Sequence, residues 1–385
     1  MNDHPFDLST EAELRRRRSA KWHVYPPDVL PAWVAEMDYP IAAPIKRVLA
    51  TALDADDAGY ADPRGLGDSF ASWARATWGW EVAPADVKVA PDVVTAIGEI
   101  LHVATGPGDG VVIDPPVYPP FAGTVRRLGR RVVETPLARV EGGGHRLDLG
   151  AIERAYAAGA RVHLLCSPHN PVGLVHDREA LAAVAQLAAR HGVLVLSDEI
   201  HAPLTYAPAR HVPFPTVSAD AARTAVVLTS ASKTWNIAGL KASVMVACHD
   251  ETRRVLERLP PELPYHASHF GVLGARAAFE EGGPWLEETL RILDRNRRLV
   301  TELLREHLPR ARYVEPAAGY LAWIDCTDLG LGPDPAKVFL EKGRVALNSG
   351  LAFGTGGEGF ARLNFATTRA LLEEAVRRMA AVVGG

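Results

Sequence analysis

The sequence predicts an α/β protein: a large domain around a mostly parallel, seven-stranded sheet held between helices, with a smaller α+β domain beside it. Three observations carry that prediction. From about Pro44 to Ala275, short apolar runs alternate with longer Ala/Leu/Arg-rich segments of helical period, the pattern of strands joined by helical crossovers. Most of these runs lack the polar alternation of a half-exposed strand, as expected where helices cover both faces of a sheet. Near Pro284 the pattern changes to one long Leu/Arg/Glu helix followed by alternating strand-like segments.

Taken in order, two helices, Pro44–Leu53 and Leu66–Trp78, precede the first strand, Asp86–Ala90. The helix Val94–Ala104 and the turn residues Thr105-Gly-Pro-Gly-Asp-Gly110 lead into the strand Gly110–Ile113, because glycine and proline at that density mark a turn. Helices at Tyr118–Leu128, Asp148–Ala157 and Arg178–His191 then alternate with strands at Arg131–Glu134, Val162–Cys166 and Val193–Ser197. Crossovers of that length suit parallel neighbours. Strands at Ala225–Thr229 and Ala242–Ala247 and a helix at His269–Glu280 complete the large domain, residues 41–280. The smaller domain takes residues 1–40 and 281–385. It holds the helix Pro284–Leu308, strands at Ala311–Val314, Gly319–Asp325, Val345–Ser349 and Phe360–Asn364, and a terminal helix, Thr368–Val382. Gly354-Thr-Gly356-Gly-Glu-Gly359 matches GxGxxG literally, but it precedes a strand instead of opening a helix after one, so it is read as a turn.

At 385 residues the chain has room for a cleft between domains. A net charge of −4 gives no electrostatic argument for nucleic acid or anionic membrane. The run Arg15–Arg18 follows Glu11 and Glu13 and is expected to form a solvated helix face. No apolar run approaches the ~18 residues of a membrane span. Cys166, Cys248 and Cys326 form no CxxC pair, and the histidines show no metal-ligand spacing, so a reducing, cytoplasmic setting and no metal are expected.

The most informative segment is Ser230-Ala-Ser-Lys233-Thr-Trp-Asn-Ile-Ala-Gly-Leu-Lys241. The chain has seven lysines against thirty-five arginines, so where only positive charge is needed it has generally used arginine. A lysine amine can lose its proton and attack a carbonyl, which a guanidinium cannot. The aldehyde of pyridoxal phosphate is the obvious partner, while a surface lysine in a Ser/Thr turn is the plain alternative. Other chemistry-bearing residues follow predicted strand ends, where ligands of doubly wound sheets gather. Asp198 reads alone as a helix cap or ion-pair partner; with Lys233 one strand later, it also suits an anion against a pyridine nitrogen. Asn170 could donate to a ring phenolate. His201 could tune that edge or pack in the core, and Tyr118 could stack on a ring or fill space after a Pro-Pro turn. Val93, Val94 and Thr95 open a helix whose free amides favour an anion, and Ser230, Ser232 and Lys241 could complete a phosphate cradle. Arg362, on a strand facing the cleft, offers a fork for a substrate carboxylate.

With these segments in that order, the chain resembles fold-type-I pyridoxal phosphate enzymes, the aspartate aminotransferase superfamily. More narrowly, Trp33-Val-Ala-Glu-Met-Asp-Tyr39, His201 and Asn236-Ile-Ala-Gly-Leu-Lys241 resemble the MalY/PatB-type cystathionine β-lyases. The resemblance implies that Lys233 bonds the cofactor aldehyde, Asp198 pairs with the ring nitrogen, Asn170 meets the ring oxygen and Tyr118 stacks. It also implies phosphate contacts from Ser230, Lys241 and the amides near Val94, a carboxylate held by Arg362, and Met37 near the substrate. Tyr60 matches a tyrosine that crosses a dimer interface to the partner's cofactor, so a homodimer is implied. Glu36 and Tyr39 depart mildly from the WVADMDF pattern of such lyases and should lie near the substrate. Leu263–Phe270 also departs and is expected to line the pocket. The implied reaction is β-elimination from L-cystathionine or another L-cysteine S-conjugate. Amino-group transfer is the alternative, and a secondary role as a partner of transcription regulators is a non-enzymatic one.

Overall fold

The computed structural model describes residues 5–384. Its main sheet has seven strands in the spatial order Val87–Ala90, Ser243–Val246, Ala225–Thr229, Leu194–Asp198, Ala160–Cys166, Gly110–Ile113, Arg131–Glu134. Only Ser243–Val246 runs antiparallel to its two neighbours; every other pairing is parallel. The expected strands therefore recur within one or two residues of their predicted ends.

Both faces of this sheet are covered, which explains the unbroken apolar runs. Val111, Ile113, Leu164, Leu196 and Leu228 pack into one core with the helix Val93–Ala104. Val112, Leu165 and Val195 pack into another with the helices Leu149–Ala157 and Arg178–His191. Successive strand residues point to opposite faces, and each fully buried Val or Leu contributes about 1.5–3 kcal/mol of transfer free energy. A polar residue at either parity of a covered strand is buried and needs partners: mid-strand His163 has them in Tyr156 Oη and Asp114 Oδ2, each at 2.7 Å.

A second sheet of four strands is ordered Arg312–Tyr313, Leu321–Asp325, Phe360–Asn364, Asn348–Ser349. The 25-residue helix Gly283–His307 buries Leu286, Ile292, Leu293, Leu299, Val300, Leu303 and Leu304 beside it. The predicted strand at 345–349 is two pieces with different partners. Val345–Ala346 pairs with Leu30–Pro31, tying the N-terminal segment to the C-terminal part, whereas Asn348–Ser349 pairs with Phe360–Asn364.

The arginine run corrects the sequence reading. The helix there is only Glu11–Leu14, capped by Thr10, and Arg15–Arg18 follow it. Arg17 turns inward and donates to the carbonyls of Met37 and Asp38. Nearby, Lys21 and Asp38 form a buried ion pair at 2.7 Å, and Trp22 Nε1 donates to the same carboxylate at 2.9 Å. Removing one partner of such a pair typically costs about 3–5 kcal/mol, so residues 33–38 are anchored to the N-terminal segment. No helix among the described residues is long and apolar enough to cross a membrane.

Candidate active site

Strand ends of the main sheet, one edge of the small sheet and the N-terminal segment enclose a cavity of about 600 Å³. Asn170 reaches it from the loop after Ala160–Cys166. That loop is pinned by Cys166 Sγ, which accepts from the Asn170 amide at 3.4 Å. The loop requires glycine at 173: φ is +66°, and a Cβ there would lie 2.2 Å from Pro316 Cβ. Asp198, Ile200 and His201 line the cavity from the end of Leu194–Asp198. Lys233 sits on the four-residue helix Ala231–Thr234, whose cap Ser230 accepts from the Ser232 amide at 3.0 Å and donates to Ala242 O at 2.6 Å. Burying Trp235 fully, with Nε1 donating to Gly282 O at 2.9 Å, fixes this helix from behind. Tyr118 enters after the strand Gly110–Ile113, and Arg362 from the small sheet.

The charges here are incompletely neutralised. Asp198 is 4% exposed and, among the described residues, accepts one side-chain hydrogen bond, from the Ile200 amide at 3.1 Å. Burial pushes its carboxyl up to about 7, with neighbouring Glu199 adding to the effect and Lys233 opposing it. Burial, reinforced by Arg362, lowers the Lys233 ammonium to about 8, although Glu36 and Asp198 pull it the other way. His201 falls to about 3 through burial and the nearby Lys233 and Arg362, so its imidazole is neutral at physiological pH. Burial lifts the Tyr118 phenol to about 12. Arg362 Nη1 donates to Asn170 Oδ1 at 3.0 Å; Nη2 donates to Asn348 Oδ1 at 2.7 Å and Trp33 O at 3.1 Å. Its guanidinium lies over Phe353, 4.9 Å from the ring centroid, and its buried Nε has no partner.

At the other end, Val93, Val94 and Thr95 open a twelve-residue helix onto the cavity. The Thr95 amide is committed to Asp92 Oδ1 at 2.8 Å, leaving the first-turn amides of Val93 and Val94 for an anion. Lys241 stands beside them, paired with Asp92 at 3.0 Å. This donor set fits pyridoxal phosphate. It offers a lysine of lowered basicity, a carboxylate short of hydrogen bonds, a stacking phenol, an amide and an anion-binding helix start.

Three sequence expectations do not hold for this cavity. Met37 is fully buried, and its backbone is clamped by Asn236, so it does not reach the cavity. Tyr39 is likewise in the core, stacked on Phe6 at 4.8 Å. Leu263–Phe270 does not line the cavity; Tyr265 and His266 are exposed. Met37 and Tyr39 both turn into the apolar core because Lys21, which donates to Glu36 O at 3.1 Å, and Asn236 hold the segment's backbone there. Tyr60 is 90% exposed on the outer surface. Sequence reading missed Asn348 and Phe353, and the contribution of Trp33, Val34 and Ala35 to the wall. The asparagine carried no motif, and the wall is formed partly by backbone. No cluster of three or more His, Cys, Asp or Glu side chains suited to a metal occurs among the described residues.

Residues 38–379 match the family model for aminotransferase class I and II. A Mycobacterium leprae protein, named as a candidate cystathionine β-lyase, is 42% identical over 401 residues, spanning 98% of each chain. Cystathionine β-lyase PatB of Bacillus subtilis is 36% identical over 363 residues, 92% of this chain and 93% of its own. Among solved structures, cystalysin from Treponema denticola, which contains pyridoxal 5′-phosphate, superposes with a TM-score of 0.89 at 26% identity, covering 96% of this chain and 97% of its own. On the match to its family model and these end-to-end likenesses, the chain belongs to the aminotransferase class I and II family.

Proposed function

We infer that the protein is a pyridoxal-phosphate-dependent carbon–sulfur lyase, with L-cystathionine or a related L-cysteine S-conjugate as substrate and a thiol, pyruvate and ammonia as products. The observation that carries the reading is the convergence of Lys233, Asp198 and Arg362 on one cavity, in a chain whose relatives bear lyase names. When bound, pyridoxal phosphate supplies an aldehyde for an amine and a ring that accepts the electrons freed at the substrate's Cα.

The chain's own residues then have distinct tasks. Arg362 takes the α-carboxylate through its unpartnered Nε and an adjacent N–H, with Asn170, Asn348 and Trp33 O holding the guanidinium in plane. Lys233 anchors the cofactor and, as a free amine, takes the Cα proton onto Nζ. With its ammonium lowered to about 8, a useful fraction is unprotonated near neutrality. Asp198 would hold a proton on the cofactor's ring nitrogen, and the positive charge there would supply the partner that the buried carboxylate lacks. Asn170 and neutral His201 would meet the cofactor's ring oxygen, Tyr118 would stack on the ring, and the amides of Val93 and Val94, with Thr95, Ser232 and Lys241, would hold the phosphate, joined by Ser230 once its hydroxyl turns from Ala242 O. Loss of the thiolate from Cβ leaves an enamine that water converts to pyruvate and ammonia.

Residues 41–280 are the cofactor-binding unit in this reading, with 1–40 and 281–385 closing over the substrate. A homodimer forms the working unit, and Tyr60, exposed in the single chain, reaches the partner's cofactor. Three free cysteines fit a cytoplasmic setting. Incubation with L-cystathionine and no keto acid should release homocysteine and pyruvate in equal amounts. Product that appears only after a keto acid is added would establish amino-group transfer instead.

A further inference from the structure

Residues Trp33–Met37 have no regular secondary structure, yet each of their carbonyls accepts from a side chain. Trp33 O accepts from Arg362 (3.1 Å), Val34 O and Glu36 O from Asn364 Nδ2 (2.7 Å each), and Met37 O from Asn236 (2.8 Å). The strip is thus a fixed rail of acceptors, and at its centre Ala35 O accepts twice: from Lys233 Nζ at 2.8 Å and from Tyr320 Oη at 3.0 Å. Tyr320 is 1% exposed, lies outside the cavity and meets the edge of His201, with ring centroids 6.1 Å apart.

We propose that Tyr320 is a positioning residue: its hydroxyl and the Ala35 carbonyl form the docking point of the Lys233 amine whenever that amine is not bonded to the cofactor. The inference rests on the assignment of Lys233 as cofactor anchor. An amine that must leave and return in every turnover has four rotatable bonds, and a nearby acceptor confines it. A carbonyl has two lone pairs. Tyr320 fills one, which blunts the carbonyl's pull on a charged ammonium and leaves the docked amine readier to lose its proton. The other groups facing Nζ are Arg362 and Lys241, which repel its charge, and Glu36 and Asp198, which attract it. Neutral His201 packs against the Tyr320 ring. Without the Tyr320 hydroxyl, Ala35 O turns wholly to Lys233, and the amine keeps its proton to higher pH.

The test is Tyr320→Phe, which removes one oxygen and keeps the packed ring. Cofactor-free protein is mixed with pyridoxal phosphate and the visible band is followed from pH 6.5 to 9.5. The variant should capture cofactor roughly three- to tenfold more slowly at pH 7 and match the wild type at pH 9.5. In loaded enzyme, kcat on L-cystathionine should fall by a similar factor with KM unchanged, because Tyr320 does not touch substrate. Capture and kcat within twofold of wild type at every pH, or a deficit that persists undiminished at pH 9.5, overturns the proposal. Crystals of the wild type without cofactor decide the matter independently of the variant's folding: Nζ must lie on Ala35 O, and any other position refutes the docking point. Borohydride trapping of the wild type separates the two readings, since loss of a Lys233 adduct removes the cofactor assignment and the docking point with it.

Discussion

Asp198 and Glu199 are adjacent carboxylates at one strand end, both nearly inaccessible to water, and they have opposite surroundings. Glu199 faces away from the cavity and is saturated. It accepts from His211 Nε2 at 2.8 Å, from Ser197 Oγ at 2.9 Å and from the Phe214 amide at 2.9 Å. Asp198 faces the cavity and accepts from one backbone amide. A buried carboxylate with three donors ties strand, loop and turn together; one with a single donor waits for a ligand. The difference separates a group that stabilises the fold from one that the fold holds at a disadvantage for use.

The largest effect should come from the residue that makes the cavity chemical. Lys233→Ala should lower kcat by roughly a thousandfold or more and abolish the visible band, while the thermal midpoint of the cofactor-free protein stays within a few degrees. Loss of folding instead would mean that Lys233 belongs with Glu199. Arg362→Lys is next: a point charge cannot reproduce the fork or its bonds to Asn170 and Asn348, so kcat/KM should fall roughly a hundredfold, mainly through KM.

Exchanging each carboxylate for its amide tests the comparison directly. Asp198→Asn should cut kcat/KM by roughly a hundredfold and yet stabilise the cofactor-free protein at pH 8 by about 1–3 kcal/mol. The folded pKa of Asp198 is raised to about 7 from the ordinary 3.8 of such a carboxyl, so its favourable share of stability is complete below 3.8 and is lost as pH rises through 7. The gain in the variant should therefore vanish near pH 4, as read by denaturant melts at both pH values. Glu199→Gln should do the reverse, losing about 1–3 kcal/mol with kcat per folded molecule within threefold. Equal behaviour of the two variants would dissolve the distinction. The smallest effect is on the pH dependence of cofactor capture by the wild type. Capture needs an unprotonated Lys233 and an ionised Asp198, so with those groups near 8 and 7 its rate should climb about fivefold from pH 7.5 to 9 and then level off; a flat profile in stopped-flow absorbance would refute it.

Much of this was legible in the chain. Helical period and uninterrupted apolar runs located the main strands because both sheet faces are buried, and a lysine amid Ser and Ala in an arginine-rich chain marked Lys233. Strand-end position brought Asp198, Asn170 and Tyr118 into view. Position alone could not separate Asp198 from Glu199, since alternation says only that the two face opposite ways. Met37 shows the converse failure: its neighbours Trp33–Ala35 line the cavity, but the clamp from Asn236, nearly two hundred residues away, turns Met37 into the core.

The sequence by itself determined the α/β class, the order of the elements and the chemical types gathered at the strand ends, because periodicity and side-chain chemistry are written locally. Tertiary structure alone decided which carboxylate is saturated, where the Lys233 amine rests and which asparagines hold Arg362. Those outcomes depend on backbone carbonyls and amides, which every residue carries alike, and on distances between segments far apart in the chain. A hydrogen bond to Ala35 O has no signature in an alanine.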